Sequence, residues 1–261
     1  MGIEGAAYAT VIGQTISFLL DGIFHYTYNK DIDSNLKYIK PEGKIIGEIY
    51  KVGAPAIVMQ ALMSIMTYGV NIIFYTVSGE AVTAYGIYYK IQQFVFFAAF
   101  GMNNAIIPLV SFNFGKCDRK RIDQGICYGM GYTLVIMLIG LLALQIFAHQ
   151  LIGIFVLTDA TRTLCIRALR IVTLGYIFAG ANIAYQGIFQ ALGKGMHSLI
   201  ISLLRLIVIA LPLALLFSKA ANAEILIWFA FPIAEGVAMA VGIIMMRRIT
   251  KTELDGIEEQ K

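Results

Sequence analysis

The stretch from Lys51 to Val77, KVGAPAIVMQALMSIMTYGVNIIFYTV, constrains the chain more than any other. It is apolar enough to cross a bilayer, yet it carries Gln60, Ser64, Thr67 and Asn71. Their spacings of 4, 3 and 4 put all four on one face of an α-helix. The rest of the circumference is Ile, Val, Leu, Met, Phe and Ala. A helix that is oily on most sides with one uncharged polar stripe fits a membrane span that turns the stripe toward partner helices or water. Gly53, Ala54 and Pro55 predict a break one turn into it.

Composition generalises this helix to the whole chain. Charged residues make up 14%, against about 25% in soluble domains, and mean hydropathy is +0.76. Seven helical segments follow. The first, Gly5 to Tyr28, is the least typical, with Gln14, Asp21 and His25 inside it. Residues 29–48 are polar and contain Lys30, Lys37, Lys40 and Lys44, which predicts an interlobe linker with a short surface helix. The Gln60 helix comes next. Further spans are expected near Val82 to Phe112, Gln124 to Phe147, Leu164 to Leu192, His197 to Phe217 (interrupted at Pro212) and Glu224 to Met246 (broken at Pro232). Residues 249–261 form a polar tail. The fold class is therefore all-α, polytopic and membrane-integral.

Threading these spans alternately puts fifteen of the twenty Lys and Arg residues on one side. By the positive-inside rule, the linker and carboxyl terminus are cytoplasmic, and a plasma-membrane location is expected. The first helix then enters from outside, so further helices are expected before Met1. Basic residues sit at span ends rather than in a patch with interleaved aromatics, which argues against a nucleic-acid partner. Cys117, Cys127 and Cys165 lack disulfide or zinc spacing, and none of the His residues has a ligand-type residue at i+4, so neither a metal site nor an organic cofactor is expected. No phosphate-binding loop, nucleophile elbow or H-E-x-x-H motif is present, which removes the support for an enzyme.

Two more stripes accompany the first. Tyr85, Tyr89, Gln92, Phe96, Ala99 and Asn103 share a helical face, and so do Asn182, Gln186 and Gln190. Amide side chains in hydrocarbon lock helices together or line a water-accessible cavity. Three parallel amide-and-aromatic faces favour the cavity, with Gln60, Ser64, Thr67, Asn71, Tyr85, Gln92, Asn103, Asn182 and Gln186 as its candidate residues. Such a lining suits large ligands of mixed polarity. Ionised groups inside the apolar runs are Asp21, Lys90, Arg205 and Glu235. Arg205 is placed to reach headgroups or to pair with Glu235, which follows Pro232 and is the best internal carboxylate for a role. Pro55, Pro212 and Pro232 are candidate hinges, because each removes a helical hydrogen bond.

Six segments together resemble the carboxyl-terminal half of the MATE (multidrug and toxic compound extrusion) transporters. GIEGAAYATVIGQ (2–14) looks like that family's sixth helix, and KVGAPAIVMQ (51–60) like the start of its seventh. NNAIIPLVSFNFGK (103–116) resembles the end of the eighth, and FQALGKG (189–195) the turn after the tenth. SLLR (202–205) and FPIAE (231–235) look like parts of the last two. The resemblance implies two six-helix lobes around a central cavity, exporting amphipathic organic cations or drugs in exchange for H⁺ or Na⁺. Residues 1–28 would then be the last helix of a first lobe that is otherwise absent, 29–48 the linker and 49–248 the second lobe. One NorM-like branch of the family uses a Glu on the seventh helix and an acid on the tenth, where this sequence has Gln60 and Ala181-Asn182. Other branches carry a coupling Asp on the first helix, which is not in this chain. Related lipid-linked oligosaccharide flippases share the architecture, and a non-transporting remnant or scaffold is the reading from a different class.

Overall fold

Glycines set how closely the long helices approach one another. The computed structural model describes residues 3–29 and 40–258, and its described elements are helical throughout. The chain separates into two units, 1–48 and 49–261, each described by itself. The first contains α1 (Ile3–Tyr28), an apolar helix long enough to span a membrane. Residues 30–39 of the expected linker lie outside the described residues. Helix α2 (Gly43–Tyr75) begins inside the range expected to be linker and runs through Pro55 without interruption. The Gly-Ala-Pro segment is therefore helical rather than a break, since one missing N–H is tolerated within a long span.

From Ile49 onward the second unit is a helical bundle. Its central pair is α3 (Gly79–Gly115) and α4 (Arg119–Ile146). The buried face of α4 is Ile122, Gly125, Gly129, Thr133, Met137, Gly140 and Leu144, a spacing of three and four that keeps one edge small. A Cβ on Gly129 would lie 2.6 Å from Ile106, and one on Gly140 would lie 2.2 Å from Val95. This small-residue ridge lets α3 side chains sit directly on the α4 backbone, the usual means of helix association where lipid supplies no hydrophobic drive. The turn between the two helices is tight. Cys117 adopts φ 54°, Asp118 N–H donates to the Asn113 carbonyl at 3.1 Å, and the Asp118 side chain accepts from Arg121 N–H at 3.2 Å. One residue thus closes α3 and the next opens α4.

The short α5 (Ala148–Gly153) fills the connection to α6 (Asp159–Thr173) and α7 (Tyr176–Ala191). The sequence predicts a single helix from Leu164 to Leu192, but the structure has two, bent by 51° at Leu174-Gly175. The cause is tertiary. A Cβ on Gly175 would lie 2.8 Å from the Pro232 Cα, so the bend accommodates another helix's backbone. Next come α8 (Gly195–Leu203), a π-helical turn at Leu204–Val208, and α9 (Ala210–Phe217), which contains Pro212. The Ile209 N–H reaches back five residues to the Leu204 carbonyl at 3.0 Å, so the widened turn ends just before the proline. The short α10 (Ala223–Leu226) and a 3₁₀ turn at Ile227–Phe229 lead into α11 (Ala230–Ile249). Pro232 occupies the first turn of α11, where its missing N–H costs nothing, and the irregular turn lies upstream of it.

The expected polar tail is folded for at least its first part. A second π-turn (Thr250–Leu254) continues α11 into α12 (Asp255–Glu258). Ile249 and Leu254 are buried in a cluster with Ile106, Ile122 and Phe189. Arg119 holds Asp255 at 3.1 Å, and Lys194 holds Glu253 at 2.5 Å. Three basic segments assigned to one side by charge counting therefore meet at one end of this unit. A larger apolar cluster around Trp228, Phe74, Tyr88 and Tyr176 lies elsewhere in the bundle. Six described helices are long and apolar enough to cross a membrane, and the count is seven where the bent α6–α7 pair is taken as one span. The protein is a multi-pass membrane protein.

Candidate functional site

The three polar stripes lead to one cavity of about 520 Å³ in the second unit. Helix α2 contributes Gln60, Met63 and Thr67, and α3 contributes Tyr85, Tyr89, Gln92, Phe96 and Asn103. Gln186 and Gln190 come from α7, Arg205 from the π-turn, and Phe231 and Glu235 from α11. Its wall is thus amides, phenols, phenyl rings and methionines around a single ion pair.

Three expected cavity residues lie elsewhere. Ser64 is exposed and off the wall. Asn71 turns back on its own helix, donating from Nδ2 to the Thr67 carbonyl at 2.8 Å. The α2 stripe therefore separates into wall positions, Gln60 and Thr67, and non-wall positions, Ser64 and Asn71. Asn182 sits behind the wall, fully buried, where it holds Glu235.

Glu235 is the best-satisfied polar group here. Its Oε1 accepts from Arg205 Nε at 3.0 Å and lies 2.7 Å from Arg205 Nη2. Its Oε2 accepts from Asn182 Nδ2 at 2.7 Å, and the same nitrogen lies 2.9 Å from the Glu235 carbonyl. The side chains of Arg205 and Glu235 are only 9% and 16% exposed, so both charges are largely enclosed by the protein. Of the two destinations expected for Arg205, the structure takes the pairing. Three donors compensate the burial of this carboxyl group, and removing any one of them would leave it under-compensated.

Other wall residues are fixed by contacts that spacing does not reveal. The Tyr88 hydroxyl donates to Gln92 Oε1 one turn along α3. Gln190 Nε2 donates to Ser198 Oγ at 3.1 Å, and that hydroxyl also contacts the Gln186 carbonyl at 3.2 Å. Asn103 presses its amide onto the α7 backbone, where a Cβ on Gly187 would lie 1.8 Å from Asn103 Oδ1. Behind the aromatic wall, Trp228 packs edge-on against Phe74 at 4.7 Å, and Tyr85 stacks on Phe231 at 6.1 Å. Tyr88, Ser198, Gly187 and Trp228 were not singled out from the sequence. Only Tyr88 carried any signal there, as a polar aromatic one residue off the Tyr85–Gln92 stripe. Among the described residues, no group of three His, Cys, Asp or Glu side chains is placed to hold a metal ion.

The MatE family profile matches residues 55–216, more than half of the chain and most of the cavity wall. The chain belongs to the MatE family. The multidrug export protein MepA of Staphylococcus saprophyticus is 26% identical over 99% of this MatE chain and 57% of its own length. An outward-facing multidrug resistance MATE transporter of the MOP superfamily superimposes with a TM-score of 0.88 at 22% identity, covering 99% of this chain and 58% of the other. An inward-facing structure of such a transporter gives a TM-score of 0.77 at 23% identity, with 99% and 59% covered. At these identities the two structures speak for the fold alone. The chain spans a little under three fifths of the length of these relatives.

Proposed function

We propose that this chain forms the second lobe, and the helix preceding it, of a secondary transporter that exports amphipathic organic cations or drugs by alternating access. The observation that carries this reading is the 520 Å³ amide-and-aromatic cavity in a chain of the MatE family. Rings and amides together bind substrates of varied shape, because they supply flat apolar contact and adaptable hydrogen bonds without demanding one geometry. In this account Gln60, Thr67, Tyr85, Gln92, Asn103 and Gln186 touch substrate. Asn182 holds the ion pair behind them, and Ser64 and Asn71 lie outside the contact surface.

Residues 29–48 serve as interlobe linker, 49–248 as the second lobe and 249–261 as a tail on the cytoplasmic face of the plasma membrane. An amino-terminal lobe is the partner this arrangement calls for. In this account the hinge positions are Pro55 and Pro212, each inside a helix, and Pro232, just after the 3₁₀ turn that precedes α11. The export step is antiport driven by H⁺ or Na⁺. The relatives named as multidrug export proteins, and the solved transporters in both conformations, support this account.

The test is efflux from cells expressing this chain together with an amino-terminal lobe. Ethidium loaded into such cells should leave faster than from control cells, and collapsing the proton and sodium gradients together should abolish the difference. Unchanged ethidium retention, or efflux that persists without either gradient, would remove the proposal.

A further inference from the structure

We propose that Arg205 anchors an oxyanion subsite in the cavity, one that takes a carboxylate or phosphate group carried by an aromatic ligand. This rests on the reading of the cavity as a substrate chamber, and it adds a pole that the organic-cation account does not contain.

The argument is a count of donors. A guanidinium carries five N–H groups in a rigid fork. Arg205 directs Nε and Nη2 at the same oxygen, Glu235 Oε1, at 3.0 and 2.7 Å. Among the described residues Nη1 has no hydrogen-bond or ion-pair partner, and it is not sealed from the cavity that Arg205 lines. The outer edge formed by Nη1 and Nη2 is the one that matches two oxygens of a carboxylate or phosphate. Glu235 is in the opposite condition. Both of its oxygens are already engaged, one by Arg205 and the other by Asn182 at 2.7 Å, so the pair offers the cavity unused donors on one side and a satisfied acceptor on the other.

Asn103 adds to the same polarity. Its Oδ1 is buried without a partner against Gly187, while the residue lines the cavity and its Nδ2 is not buried. Phe96, Phe100 and Phe231 supply flat apolar surface on the same cavity wall. Arg205 and Glu235 are also the only charged residues on the wall among the described residues, so the wall is neutral overall and the subsite works through the unused guanidinium donors rather than through net charge. The π-turn contributes by placing Arg205 on the wall. Such turns recur at functional sites because they re-aim one side chain without ending the helix.

The experiment compares two nearly isosteric probes, 2-naphthoate and the neutral 2-naphthamide, titrated calorimetrically into the purified full chain in detergent. The expected result is naphthoate bound about tenfold or more tightly than naphthamide, as for a hydrogen-bonded charge pair. The double variant Arg205→Gln/Glu235→Gln removes both charges without stranding either, and should bind the two probes equally. Glu235→Gln alone leaves Arg205 with more free donors and should strengthen naphthoate binding. Equal binding of the two probes by the unmodified protein, no binding of either, or a preference that survives in the double variant would overturn the subsite. Ethidium efflux reports separately on the transporter reading. Efflux with no naphthoate preference removes only the subsite, and a naphthoate preference without efflux removes only the transporter.

Discussion

Helices α2 and α7 carry the same kind of polar stripe and use it differently. On α7, Asn182 reaches across to α11 and holds both the carboxylate and the carbonyl of Glu235, while Gln190 is held by Ser198 of α8. On α2, Thr67 and Asn71 hydrogen-bond to carbonyls of their own helix, and Gln60 and Ser64 are exposed. The α7 stripe is a structural joint with its outer residues on the cavity. On the α2 stripe only Gln60 and Ser64 are left available to something else. Helical spacing on the two helices therefore says which residues share a face, and the neighbouring helices decide whether that face is glue or wall.

The largest effect that would break this contrast belongs to Asn182. Asn182→Leu strands Glu235 Oε2 in a buried site and should cost about 2–3 kcal/mol, read as a lower unfolding midpoint in an SDS titration. A midpoint equal to that of the unmodified protein would remove the joint. Gly187→Ala should come next, at about 1–3 kcal/mol, because the new Cβ would sit 1.8 Å from Asn103 Oδ1. The double variant Gly187→Ala/Asn103→Ala should recover most of that loss, and a purely additive pair would show that the contact is not its source. Lys194→Ala removes the partly exposed pair with Glu253 and should cost under about 1 kcal/mol, diminishing further with added salt. Smallest is Gln60→Leu on α2, which should leave the midpoint within about 0.5 kcal/mol. A loss as large as that of Asn182→Leu would make the two helices equivalent.

Much of this was legible from residues alone, for a physical reason. Spans are written in long apolar runs, and a stripe of amides within one is expensive enough in lipid to signal an inward face. Gln60, Gln92, Asn103 and Gln186 reach the cavity on that logic. The bend at Gly175 did not show, because its cause is the backbone of Pro232, some sixty residues further on. The π-turn at Leu204–Val208 has no sequence mark of its own, so the direction of Arg205 stayed open between headgroup and Glu235. The folded carboxyl end was missed for a related reason. Residues 249–255 are polar on average, but Ile249 and Leu254 occupy a buried cluster while Glu253 and Asp255 meet bases from other segments.

The central claim is that the wall residues touch what is transported and the other stripe residues do not. It is tested most directly by measuring ethidium efflux for Gln92→Leu and Ser64→Leu side by side, at matched expression in the membrane. Both replace one uncharged polar side chain of a stripe with the same apolar one. Gln92 lines the cavity, whereas Ser64 lies off it. The account predicts efflux slowed several-fold by Gln92→Leu and unchanged by Ser64→Leu. Equal rates for the two variants, or slowing confined to Ser64→Leu, would contradict it.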